Sequence, residues 1–165
     1  FAGNLTQGYE LDGKLEPHDE RSHVRAAGSM DTTITDWTDF LAGMSRGDGL
    51  SRAAWTDMTT RHIVIDTEAQ FPTLNQPHHD WSSIGLGYGL GWGVFETPYG
   101  HAFFKEGHND STSNYALCIA ARRDCIVLMS NSARAEGIFF NLVSDLLGPT
   151  NMPWSWHPYP PFPRH

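Results

Sequence analysis

Between Gly87 and Met129 the chain alternates short apolar or aromatic runs with strong turn signals, and this pattern restricts the fold more than any other feature. Gly87 to Glu96 is punctuated by glycine and rich in aromatic residues. Thr97-Pro98-Tyr99-Gly100 reads as a turn, and His101 to Lys105 as the returning partner of a hairpin. Asn114 to Ala121 predicts a strand, Arg122-Arg123-Asp124 a turn, and Cys125 to Met129 the next strand. Strands joined by such short connections pair antiparallel, because a parallel crossover needs a dozen residues or more.

Helical spacing flanks this block. Thr33, with Asp36 three residues on, approximates a capping box, and Ile34, Trp37, Phe40, Leu41 and Met44 recur on one helical face. Gly47 and Gly49 end that helix. Ser51 caps a shorter one through about Arg61, with Trp55 and Met58 inward. His62-Ile63-Val64-Ile65 is a brief β-branched run, and residues 68–84 form a long loop. Ala133 to Leu147 carries an apolar stripe of Ile138, Phe139, Leu142, Val143 and Leu146, closed by Gly148. Near the start, Gly8 to Lys14 predicts a strand entering an Asp-Gly turn. Residues 149–165 make a tail rich in Pro and Trp, and Pro153 to His165, which has no regular pattern, reads as an extended strap. The class is α+β, an antiparallel sheet flanked by helices.

Composition removes several functions. Eleven Lys and Arg face nineteen Asp and Glu, a net charge of −8, and only Lys14 and Lys105 are lysines. So acidic a chain is badly suited to a phosphate backbone, so no nucleic-acid partner is expected. No apolar run approaches the ~20 residues that span a bilayer. No Ser-x-x-Lys, Tyr-x-Asn, P-loop or Cys-x-x-Cys occurs, so neither a Ser-Lys pair nor a cofactor fingerprint is present, and no cofactor is expected.

Phe103-Phe104-Lys105-Glu106-Gly107-His108-Asn109-Asp110 carries the chemistry that remains. In a lysine-poor chain, Lys105 at the end of an aromatic strand supplies a cation that attracts a carboxylate or lowers a neighbouring pKa. On an edge strand, Gly107 lets the backbone approach a ligand, so that the following N–H points at a developing oxyanion. The plainer reading is a strand-end lysine followed by a turn glycine.

Three strings together carry a family resemblance. Tyr88-Gly89-Leu90-Gly91-Trp92-Gly93, Lys105-Glu106-Gly107-His108 and Ile126-Val127-Leu128-Met129-Ser130-Asn131-Ser132 resemble the C-terminal part of serine β-lactamase-like hydrolases, which include class C β-lactamases, penicillin-binding DD-peptidases and related esterases. Ala27-Gly28-Ser29-Met30, Thr32 to Trp37 and Phe40-Leu41 resemble the family's small-residue turn and following helix. The resemblance runs from about Gly8 to Gly148. It implies the C-terminal part of the β-lactamase/transpeptidase-like fold, with residues 1–165 a single partial domain. It also implies supporting catalytic roles for Lys105, Gly107 and the His108 N–H, an oxyanion-hole donor, and substrate contacts at Glu106, Asn109 and Trp92. Glu106 stands where Thr is commoner, which disfavours an anionic substrate and suits a neutral ester or amide.

The family's Ser-x-x-Lys and Tyr-x-Asn motifs precede everything in this chain. The expectation is therefore a C-terminal part of a longer hydrolase, inactive alone, whose missing N-terminal half or self-association covers an exposed surface. Its substrate would be a small ester, an amide or a β-lactam, and its location periplasmic or secreted if the bacterial resemblance holds. Two other readings stand beside it, a ligand- or glycan-binding module bordered by Trp81, Trp154 and Trp156, and a degenerate scaffold homologue. Nine histidines, with His78-His79-Asp80 adjacent, do not form a metal motif, so no metal site is expected. Cys118 and Cys125 flank a turn. A two-residue loop sets them diagonally and a three-residue loop on opposite faces, so both read as small buried apolar residues rather than a disulfide.

Overall fold

A computed structural model describes residues 2–17, 24–70 and 80–157. Two short strands, β1 (Gly8–Tyr9) and β2 (Leu15–Glu16), form a hairpin closed through Gly13 at φ +88°, a backbone state that glycine reaches without penalty. Helices α1 (Ile34–Arg46) and α2 (Arg52–Thr59) follow. Thr33 caps α1 by accepting the Asp36 N–H, and Gly47 ends it in the left-handed region. Ser51 caps α2 in the same way, accepting from Ala54 N–H.

The main sheet has six antiparallel strands in sequence order: β3 (Ile63–Val64), β4 (Gly87–Tyr88), β5 (Gly93–Thr97), β6 (Gly100–His108), β7 (Ser113–Ile119) and β8 (Asp124–Ser130). A last helix, α3 (Glu136–Leu147), follows a 3₁₀ turn at Ala133–Ala135. This is the α+β class that the turn pattern predicts.

Side-chain alternation divides the sheet into two packed faces. One face carries Phe95, Phe104, Tyr115 and Leu117, covered by Phe139 and Val143 of α3 and by Met152 and Trp156 of the tail. The other carries Trp92, Val94, Phe103 and Ala116 beneath Leu41 and Met44 of α1. Phe104 is fully buried, stacked on Tyr115 at 6.2 Å and met edge-on by Phe95 at 5.9 Å. Burial of such a ring contributes about 2–3 kcal/mol.

Four details depart from the sequence reading. The strand that carries Lys105 does not stop there but continues to His108, and it lies inside the sheet as far as Phe104. The α1 stripe is divided, with Leu41 and Met44 buried while Ile34 and Phe40 stay half exposed. On α3 the inward residues are Phe139, Val143 and Leu147, whereas Ile138 and Leu146 are exposed.

Cys118 and Cys125 form a disulfide, against the expectation of two separate thiols. The register pairs them directly, because Ile119 and Asp124 close a four-residue loop in which Arg123 takes φ +55°. That length sets the two side chains on one face with Cα atoms 4.1 Å apart. Among the described residues no helix is long and apolar enough to cross a membrane. His78 and His79 lie outside the described residues.

Candidate functional site

The feature that positions the site is a difference in strand length. The β5–β6 ladder ends at the Gly93–Phe104 pair, while the β6–β7 ladder continues through Lys105–Ala116, Glu106–Tyr115, Gly107–Asn114 and His108–Ser113. Main-chain groups alternate sides along an antiparallel strand. His101 O accepts from Ala120 N–H, and Asn109 N–H donates to Thr112 O, so odd-numbered residues of β6 address β7. The N–H groups of Glu106 and His108 therefore point the other way, toward the side where β5 has already ended.

Side chains alternate as well. Lys105 and Gly107 share the face of Phe103, and Glu106 and His108 that of Phe104. Lys105 Nζ donates to Glu106 O at 2.8 Å, which holds the ammonium against the main chain where β5 is absent. A Cβ placed on Gly107 would meet nothing within 4 Å, and its φ is not in the left-handed region. Neither packing nor backbone geometry requires glycine there, whereas a close-lying ligand would.

Glu106 is gripped on the opposite face. Its Oε1 accepts from Gln70 Nε2 at 2.5 Å and from Tyr88 Oη at 3.4 Å. Its Oε2 is buried without a hydrogen-bond partner among the described residues. Burial, then the charge and hydrogen bond of Glu106, push the Tyr88 phenol well above its usual range. Gln70 also donates its backbone N–H to Trp156 O at 2.8 Å, so one residue joins Glu106 to the tail. Thr67 fixes the same segment, accepting from the Trp81 indole through its carbonyl and from the Trp156 indole through Oγ1.

The last described residue of the tail, His157, is 2% exposed among the rings of Phe104, Tyr115, Trp154 and Trp156. Its Nε2 lies 3.4 Å from Tyr115 Oη. Burial lowers its pKa to about 4. Glu106 opposes the shift, and His108 and Lys105 add to it. His108 Nδ1 stands 3.6 Å from Glu136 Oε1 of α3. Burial raises the Glu136 carboxyl, while His108 and a hydrogen bond from Ser113 pull it back.

The remaining sequence candidates lie as follows. Asn109 spends its side-chain oxygen inside the β6–β7 turn, accepting from the N–H and hydroxyl groups of Ser111 and Thr112. Trp92 is 5% exposed, packed against Phe103 and Phe40 in the core. A groove of about 410 Å³, lined by Trp55, Arg61, Glu96 and His101 among others, lies at the far end of β6 from Lys105. Among the described residues no three His, Cys, Asp or Glu side chains are grouped to hold a metal ion. Gln70, Glu136 and His157 were not marked by the sequence reading. The density of aromatic residues from Trp154 to His157 was the one signal that the tail packs on a polar site.

No family model matches this chain, and no curated protein matches it. Among solved structures it is similar to the octameric penicillin-binding protein homologue from Pyrococcus abyssi, with a TM-score of 0.66 and 19% sequence identity over 90% of this chain. The match covers 33% of the other chain, so this chain spans about a third of that protein's length. The likeness is one of fold.

Proposed function

We propose that this chain is the C-terminal part of a serine hydrolase of the β-lactamase, DD-peptidase or esterase type, supplying its Lys-x-Gly strand and part of its oxyanion hole. The observation that carries the reading is the extension of β6 beyond β5, which turns the His108 N–H away from β7 beside a Gly107 with open space above it. The shared fold with a penicillin-binding protein homologue supports it.

In this reading a serine from a segment ahead of Phe1 attacks the carbonyl of a small ester, amide or β-lactam. The His108 N–H donates to the oxygen that becomes negative, and water then releases the acyl group. Lys105 adds positive charge on the Gly107 face, and Gly107 admits the substrate to the backbone. Glu106 faces away from that side, so its charge acts on the tail rather than on a substrate there. The Cys118–Cys125 disulfide supports an oxidising location, periplasmic or secreted. The exposed Ile34 and Phe40 on α1 provide an apolar surface for the N-terminal part. Self-association is the second way to cover it, and the similar penicillin-binding protein homologue is octameric.

The test compares the 165-residue chain with the same chain extended by the encoded sequence ahead of Phe1, using a p-nitrophenyl ester and a chromogenic β-lactam. The expected result is no acyl burst from the chain alone and turnover of at least one substrate by the extended protein. Lys105→Ala should then lower kcat/KM by roughly 10²-fold. Turnover by the chain alone, or an encoded sequence with no Ser-x-x-Lys ahead of Phe1, would overturn the proposal.

A further inference from the structure

We infer that Glu106 is a positioning residue, a peg through which Gln70 and the tail hold the Lys105 ammonium and the His108 N–H in place. The inference rests on the proposed function for its catalytic meaning, but its geometry stands independently.

Beyond Phe104, β6 has β7 as its only ladder partner among the described residues, so within them the 105–108 segment lacks the second neighbour that fixes an interior strand. The Glu106 side chain takes the place of that neighbour. Gln70 Nε2 at 2.5 Å and Tyr88 Oη at 3.4 Å bond the same carboxylate oxygen. Gln70 is itself anchored to the tail through Trp156 O at 2.8 Å. Directly across the ladder, Tyr115 pairs with Glu106 and carries His157 against its hydroxyl.

Fixing the Glu106 side chain fixes its peptide plane, and the carbonyl of that residue is the acceptor for Lys105 Nζ. The following residues are Gly107, which alone would leave the backbone loose, and His108. The clamp therefore lies on the face of the sheet opposite to Lys105 and reaches the proposed site through the main chain. A displacement of about 1 Å at such a position is enough to reduce catalysis strongly.

The test uses the 165-residue chain, ¹⁵N-labelled, as Gln70→Ala and Glu106→Gln variants, with circular dichroism to verify the fold. Gln70→Ala should shift the Gly107 and His108 amide resonances and the Lys105 side-chain signal. Hydrogen exchange of the Gly107 amide, which faces Asn114 in the β6–β7 ladder, should quicken at least tenfold, while amides in β8 stay unchanged. Glu106→Gln, which keeps an acceptor oxygen, should cause smaller changes at the same residues. In the extended protein, Gln70→Ala should lower kcat roughly tenfold with KM little altered. Unchanged Gly107, His108 and Lys105 signals in folded Gln70→Ala would overturn the inference even if the extended protein is a hydrolase. The expected resonance shifts, found in a chain whose extended form has no activity, would uphold the clamp and refute only the hydrolase reading. If Gln70→Ala does not fold, Glu106→Gln decides by the same signals.

Discussion

Lys105 donates its ammonium proton to the backbone carbonyl of Glu106 at 2.8 Å, although the two side chains leave the sheet on opposite faces. The cation and the carboxylate are thus separated by a strand and do not pair. One lies against the main chain on the Gly107 side of the strand, and the other ties β6 to Gln70 and Tyr88.

Two glycines on adjoining strands should respond oppositely to alanine. A Cβ on Gly93 would fall on the Phe104 ring, so Gly93→Ala should destabilise the chain by about 2–3 kcal/mol in urea unfolding. At Gly107 the Cβ meets only open space, so Gly107→Ala should leave stability unchanged or raise it by about 0.5 kcal/mol. The same Gly107 substitution should reduce turnover by the extended protein. A large stability loss at Gly107 would mean that packing explains that glycine.

Removal of the disulfide tests how much the cross-link between β7 and β8 contributes. With a sequence separation of 7, the chain-entropy estimate is about 2–3 kcal/mol. Replacing Cys118 and Cys125 together by alanine should lower the denaturation midpoint accordingly, and the parent chain should unfold earlier when reductant is present. An unaltered midpoint would show that sheet packing alone secures this hairpin.

His157 should make stability depend on acid. Its pKa is depressed in the fold, to about 4 from the ordinary 6.5, so the unfolded state binds the proton more readily between these values. Its contribution is complete above pH 6.5 and is lost as the pH falls toward 4, an amount on the order of 3 kcal/mol. A His157→Phe variant should unfold with a flatter pH profile over that window. Parent and variant losing stability in parallel would assign the acid response to other groups, Glu136 being the next to examine.

The parts of the fold with local signals were legible in the sequence. Thr33, Ser51 and Gly47 mark the helix ends because capping is decided within a few residues. The hairpins from Gly93 to Ser130 follow from turn residues and β-branched runs. What required the tertiary structure was register and company. The disulfide was missed because its loop is one residue longer than the longer of the two lengths considered, with Arg123 in a left-handed state that few non-glycine residues adopt. The division of the α1 stripe was hidden because periodicity gives a helix an apolar face without saying how much of it is covered. Gln70 and His157 reach Glu106 and Tyr115 across 36 and 42 residues, and nothing local in either segment encodes those meetings.

The cage around His157 sets an order of assembly. Its walls come from β6 and β7 as well as from the tail, and Met152 to His157 follows every strand among the described residues. During synthesis β6 and β7 emerge before this segment, so any sheet formed early would leave one side of Phe104 and Tyr115 uncovered until Met152 to His157 arrives. Such late, long-range contacts are gained slowly. A nascent or truncated chain would therefore present that aromatic patch to chaperones or to other unfinished copies, and the tail works as the stopper that ends this vulnerable interval.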